Sequence, residues 1–137
     1  MDKKAIISVS STQSEKEDAP IEVVTPGKFY EKSGCFYAVY NETEISGMEG
    51  TTTTLKIYPD KFVLIRTGTT TTRMEFQKGS KNVSLYNTPY GTLELGIDTK
   101  ELDIEMNDCG GKVIVKYGVS VGGHKNQTTI LNIDVKA

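Results

Sequence analysis

Tryptophan is absent from this chain of 137 residues, histidine occurs once and cysteine twice. Each scarcity removes a class of chemistry. His124 stands in Gly122-Gly123-His124-Lys125-Asn126, a polar tip of the kind that lies at the surface, so no imidazole-centred catalytic group is expected. Cys35 and Cys109 each stand alone, with no second Cys or His at a ligand spacing. A reactive thiolate needs a cationic neighbour or a helix N-terminus, and neither can be named beside Cys109. Long apolar runs are missing too. The start, Met1-Asp2-Lys3-Lys4-Ala5-Ile6-Ile7-Ser8, is charged with one short apolar run, where a secretory core needs about 7–15 residues and a membrane span about 20. The expected location is therefore cytoplasmic, with free thiols and no membrane insertion. A formal net charge of −2 gives no positive field for nucleic acid. No loop concentrates the oxygen ligands of a calcium site. No metal, cofactor or catalytic constellation is expected, and the chain does not read as an enzyme.

What is present is alternation. Val113, Val115, Tyr117, Val119 and Val121 fall on one face, and Lys112, Lys116, Gly118 and Ser120 on the other, as a half-buried antiparallel strand requires. Turn residues punctuate such stretches at barrel or sandwich spacing. Ser33-Gly34 reads as a hairpin tip. Thr25-Pro26-Gly27-Lys28 either separates two strands or bends one long strand. Asp98-Thr99-Lys100-Glu101 reads as a turn that sets Ile97 against Leu102, Leu95 against Ile104 and Leu93 against Met106. A further turn through Asn107–Gly111 sets Met106 against Val113 and Ile104 against Val115, and Gly122-Gly123 returns the chain with Val119 facing Leu131. Upstream, a two-residue turn at Gly68-Thr69 pairs Ile65 with Thr72 and Val63 with Met74. That register turns Phe62, Leu64 and Arg66 to the other face, where something has to cover them.

The threonine runs Thr51–Thr54 and Thr69–Thr72 suit a pleated surface by β-branching alone. Parity adds a sharper reading. Thr51 and Thr53 share a face with Leu55 and Ile57, and Thr70 and Thr72 share one with Met74 and Phe76. Were those faces inward, one end of the interior would carry hydroxyls, which need partners when buried. Arg66 and Arg73 are the only arginines. The two-residue turn puts Arg66 outside, whereas a bulge near Gly68 would turn it inward, where it suits an anionic or polar head group. Tyr86 and Tyr90 flank Pro89, which marks a strand end or bulge; they read as a structural corner or as a pocket rim.

Val63-Leu64-Ile65-Arg66-Thr67-Gly68, Phe76-Gln77-Lys78-Gly79 and Tyr86-Asn87-Thr88-Pro89-Tyr90-Gly91-Thr92-Leu93-Glu94-Leu95 keep an order and spacing that resemble the YwiB-like family of uncharacterised bacterial proteins. The likeness extends from Phe29-Tyr30 to the last strand. It implies a calycin-like β-barrel related in shape to lipocalins, and it brings no reaction or ligand with it. Residues 1–137 are thus expected to form one all-β domain, an antiparallel calycin/lipocalin-like barrel of about eight to ten strands with little or no helix. Two functional readings fit. In the first the interior binds a small, partly apolar molecule through Arg66, Thr70, Thr72, Tyr86, Tyr90 and Tyr117. In the second the core is filled and the protein acts through its outer surface or a strand edge, with a homodimer through the Phe62/Leu64 face.

Overall fold

The computed structural model describes residues 3–13, 21–42, 50–69, 71–121 and 124–137; Thr70 and the side chain of His124 lie outside the described residues. Within them the chain forms β1 (Lys3–Gln13), β2 (Ile21–Lys32), β3 (Cys35–Asn41), β4 (Thr51–Ile57), β5 (Phe62–Gly68), β6 (Thr71–Phe76), β7 (Lys81–Thr88), β8 (Gly91–Asn107), β9 (Gly110–Val121) and β10 (His124–Lys136), and no helix. Each strand pairs antiparallel with the next, and β1 closes on β10 to complete the barrel. Closure leaves no free edge strand, so the expected action through an edge has no such surface among the described residues.

Local chemistry explains the tight connections. Ser33 and Gly34 both take positive φ, 55° and 77°, the backbone a two-residue hairpin with the strands' own twist demands. β2 runs unbroken through Pro26-Gly27, the second of the two readings of that stretch. A Cβ at Gly27 would meet Ile7 Cδ1 and the Val39 carbonyl oxygen, each at 2.5 Å. Only glycine lets β1, β2 and β3 approach so closely there.

Two expected registers are corrected. Asp98–Glu101 is no hairpin: β8 continues through it as one strand of 17 residues, with an irregularity between Thr99 and Glu101 in its pairing to β9. The inward apolar positions switch from odd (Leu95, Ile97) to even (Leu102, Ile104, Met106). A bulge produces that switch as readily as a two-residue turn does. Downstream the faces are as expected but the pairs are displaced along the strands: Ile104 meets Val113, Met106 meets Gly111, and Leu131 meets Val115. The tip is only Asp108-Cys109, which draws the β8–β9 ladder tighter.

The second correction carries functional weight. Arg66 pairs with Thr72, Leu64 with Met74 and Phe62 with Phe76. The β5–β6 connection is one residue longer than a two-residue turn at Gly68-Thr69. A one-residue slip exchanges the faces of a strand, so Phe62, Leu64 and Arg66 point into the barrel. Phe62 and Leu64 are core residues, 0% and 3% exposed, and the expected Phe62/Leu64 dimer face is interior. Val63, on the outer side, is nevertheless buried, flanked by Lys56 and Glu75.

The interior is zoned. Phe36, Ile57, Phe62 and Phe76 form one lateral row across β3–β6, with Phe29 stacked on Phe36 at 5.5 Å and Phe62 on Phe76 at 5.7 Å. Ala38, Leu55, Leu64 and Met74 make the next row, and Tyr40, Thr53, Arg66, Thr72 and Tyr86 the third. Hydrocarbon thus gives way to polar groups along the barrel axis. The opposite wall is aliphatic, from Val113, Val115, Leu131, Ile133, Val135 and Ile7.

Candidate functional site

Tyr40 and Arg66 of the third row, with residues beside them, line a cavity of about 210 Å³. Leu64, Met74, Phe76 and Leu131 give it apolar walls, and Tyr40, Glu42, Arg66, Tyr117 and Ser11 give it polar ones. A void of this size does not fill itself by collapse, because the closed ladder holds its walls apart. An apolar cavity of about 150 Å³ already takes up benzene, so the space suits a small molecule.

Glu42 follows β3 directly and extends the inward parity of Ala38 and Tyr40. Its backbone N–H donates to the Thr51 carbonyl at 2.8 Å. The side chain is 6% exposed, and the Thr53 hydroxyl donates to its Oε1 at 2.6 Å. A buried carboxylate requires such donors to remain charged. The Tyr40 hydroxyl sits beside Glu42, Arg66 and Thr53. Burial raises its pKa well above the usual tyrosine value; Glu42 raises it further, and Arg66 works the other way. Tyr117 is likewise raised by burial and opposed by Arg66. Its ring packs on Phe76, with centroids 4.8 Å apart and planes at 54°. Arg66 Nε is buried without a hydrogen-bond partner. An orphaned guanidinium donor is costly, and here it belongs to a residue that lines the cavity.

Of the residues expected to bind a ligand, Arg66 and Tyr117 line this cavity. Thr72 faces inward and is buried, but its hydroxyl donates to the Leu85 carbonyl at 3.2 Å. It helps to bridge the β6–β7 seam, where Thr71–Asn87 and Thr72–Tyr86 are the only ladder pairs among the described residues. Ser84 Oγ donating to the Arg73 carbonyl and Asn82 Nδ2 donating to the Glu75 carbonyl extend that seam. Tyr86 is half-buried at the end of the polar row and does not line the cavity. Tyr90 is 99% exposed at the β7–β8 tip, which corrects its assignment to the pocket. Thr70 lies outside the described residues. Cys109 is exposed at the β8–β9 tip and Cys35 is buried away from the cavity.

Sequence reasoning missed Tyr40 and Glu42. The available signal was parity: Phe36, Ala38, Tyr40 and Glu42 are evenly spaced by two, and the last of them is an acid in an inward position.

A family model described as a domain of unknown function, DUF1934, matches residues 6–133. The chain belongs to the DUF1934 family. Within reach of this DUF1934 member is the uncharacterized beta-barrel protein YwiB of Bacillus subtilis (strain 168), 26% identical over 102 residues that cover 74% of this chain and 70% of that protein. The crystal structure of the ywiB protein from Bacillus subtilis matches with a TM-score of 0.87, over 99% of this chain and 92% of that one, at 21% identity. At that identity the likeness shows a shared fold. No helix among the described residues is long and apolar enough to cross a membrane.

Proposed function

We propose that this DUF1934 barrel binds a small, partly apolar molecule in its interior, in the cytoplasm, and does not transform it. The observation that carries the reading is the buried, partnerless Nε of Arg66, a residue on the polar wall of a cavity whose other wall is hydrocarbon. A guanidinium turned into a core without a complete set of acceptors lowers stability, and a ligand's polar atom is the simplest group to complete it. The apolar body of the ligand would lie against Leu64, Met74, Phe76 and Leu131, consistent with pockets that are mostly hydrocarbon with a few placed polar groups.

Native mass spectrometry of freshly purified protein tests this, followed by organic extraction and incubation with a cell extract. A stoichiometric adduct lost on denaturation is the expected result. A bare mass before and after incubation would overturn the reading. Fractionation of cells tests the location, with the chain expected in the soluble fraction.

A second reading, of a protein-interaction module, has its own observation. Val83 and Leu85 are 69% and 58% exposed side by side on the outer face of β7, and they, unlike Phe62 and Leu64, are apolar residues available outside. Val83→Lys would leave the mass of the assembly unchanged if this face is unused, and would split a dimer if it is.

A further inference from the structure

We infer that the cavity selects a head group of zero net charge that both accepts and donates hydrogen bonds, such as a primary amide or an alcohol, over a carboxylate, a phosphate or an ammonium. This rests on the binding reading above and specifies its ligand.

The inference follows from which charges face the same space. Glu42 and Arg66 both line the cavity, and among the described residues they form no ion pair with each other: the ion pair present is Lys61–Glu75, at 3.7 Å on the outside. They are nonetheless neighbours. Thr53 pairs directly with Arg66 across β4 and β5, and its hydroxyl is the donor held by Glu42. One strand spacing, about 4.8 Å, separates the Thr53 backbone from that of Arg66. A carboxylate or phosphate brought to Arg66 would therefore lie beside Glu42, in a place with little water to screen the repulsion. An ammonium brought to Glu42 would meet Arg66 in the same way. Either ion would lose its hydration for an environment whose two charges largely cancel.

A neutral head avoids both penalties. Its acceptor can take the orphaned Nε–H of Arg66, which no protein group takes, once the guanidinium turns that buried atom toward the cavity its residue lines. Its donor can reach the Glu42 carboxylate or the Tyr40 hydroxyl, which line the same space. An analogue without an acceptor leaves Arg66 Nε stranded and is rejected as well. A lone inward arginine signals an anion carrier; an arginine with an uncoupled carboxylate on the same wall signals the opposite choice.

The test compares hexanamide, hexanoate and hexylamine, which share one chain length, by calorimetry or ligand-observed NMR near neutral pH. Wild type is expected to bind hexanamide at least about tenfold more tightly than either ion, a difference of about 1.4 kcal/mol. Glu42→Gln removes the carboxylate while keeping its shape, and in that variant hexanoate is expected to overtake the amide. Near-ultraviolet circular dichroism of both proteins verifies that the barrel is intact, and Arg66→Met, in which hexylamine should gain, provides an independent arm should Glu42→Gln fail to fold. Wild type binding either ion as tightly as the amide, or an unchanged order in the variants, would overturn the inference. So would no binding of any probe. In that case a stoichiometric occupant from cell extract would leave the binding reading standing with a different head group, and a bare protein would remove both.

Discussion

The two ends of the barrel interior are built from the same strands and obey different rules. At one end Phe29, Phe36, Ile57, Phe62 and Phe76 pack as stacked rings and hydrocarbon. At the other, the continuing positions of those strands are Tyr40, Glu42, Thr53, Arg66 and Thr72. The first end is hydrocarbon, and each large side chain buried there gains about 1.5–3 kcal/mol from leaving water. The second end buries a carboxylate and two tyrosines, and leaves the buried Nε of the half-buried Arg66 without a partner. Stability is concentrated at the aromatic end, and the polar end holds groups that stability alone would not select. That asymmetry is what the proposed binding site would cost its scaffold.

The contrast can be broken most forcefully at the aromatic end. Phe62→Ala removes a fully buried ring from the stack with Phe76, and the expected loss is about 3–5 kcal/mol by denaturant unfolding. At the polar end Thr53→Val keeps the shape of the side chain and deletes the donor to Glu42. It is expected to cost about 1.5–3 kcal/mol, the range for a bond to a charged group, measured in the same way.

A pH series sharpens the comparison without any mutation. Burial raises the folded-state pKa of Tyr40 and Tyr117 above the ordinary value of 10.0. Above 10.0 the unfolded chain releases these protons while the folded chain keeps them, so the unfolded state binds fewer protons and stability falls as pH rises. Below 10.0 both states are protonated and these two groups contribute no slope. Thermal unfolding should therefore show a decline on the alkaline side of 10.0, and Tyr40→Phe should make it shallower.

The smallest stability change is expected at the residue on which the proposed ligand would depend most. Arg66→Met replaces a partly orphaned guanidinium by hydrocarbon, and the unliganded barrel should change by no more than about 1 kcal/mol or become more stable. Chemical denaturation reads that out. Binding by the same variant should shift the head-group preference from the amide toward hexylamine.

How much of this was legible before the fold was in hand depended on parity. The hydroxyl-bearing end was readable, because Thr51 and Thr53 share a face with Leu55 and Ile57, and Thr72 with Met74; all three threonines are buried. The direction of Arg66 was not, because it hangs on one residue of loop length near Gly68, and one residue exchanges the faces of the whole strand. The same arithmetic made the bulge between Thr99 and Glu101 look like a hairpin. Glu42 escaped notice for a different reason. A lone acid next to a polar stretch resembles a solvated loop residue, and only the β3–β4 pairing, with the Thr53 hydroxyl 2.6 Å from its oxygen, shows it to be inside.

The most direct test of the zoned interior is a methyl NMR titration of the labelled protein with the small-molecule fraction of a cell extract. The account predicts that the methyl signals of Leu64, Met74 and Leu131 shift while those of Val83 and Leu85 on the outer face of β7 stay in place. Shifts confined to Val83 and Leu85, with the interior methyls unmoved, would contradict it and put the working surface of this barrel on its outside.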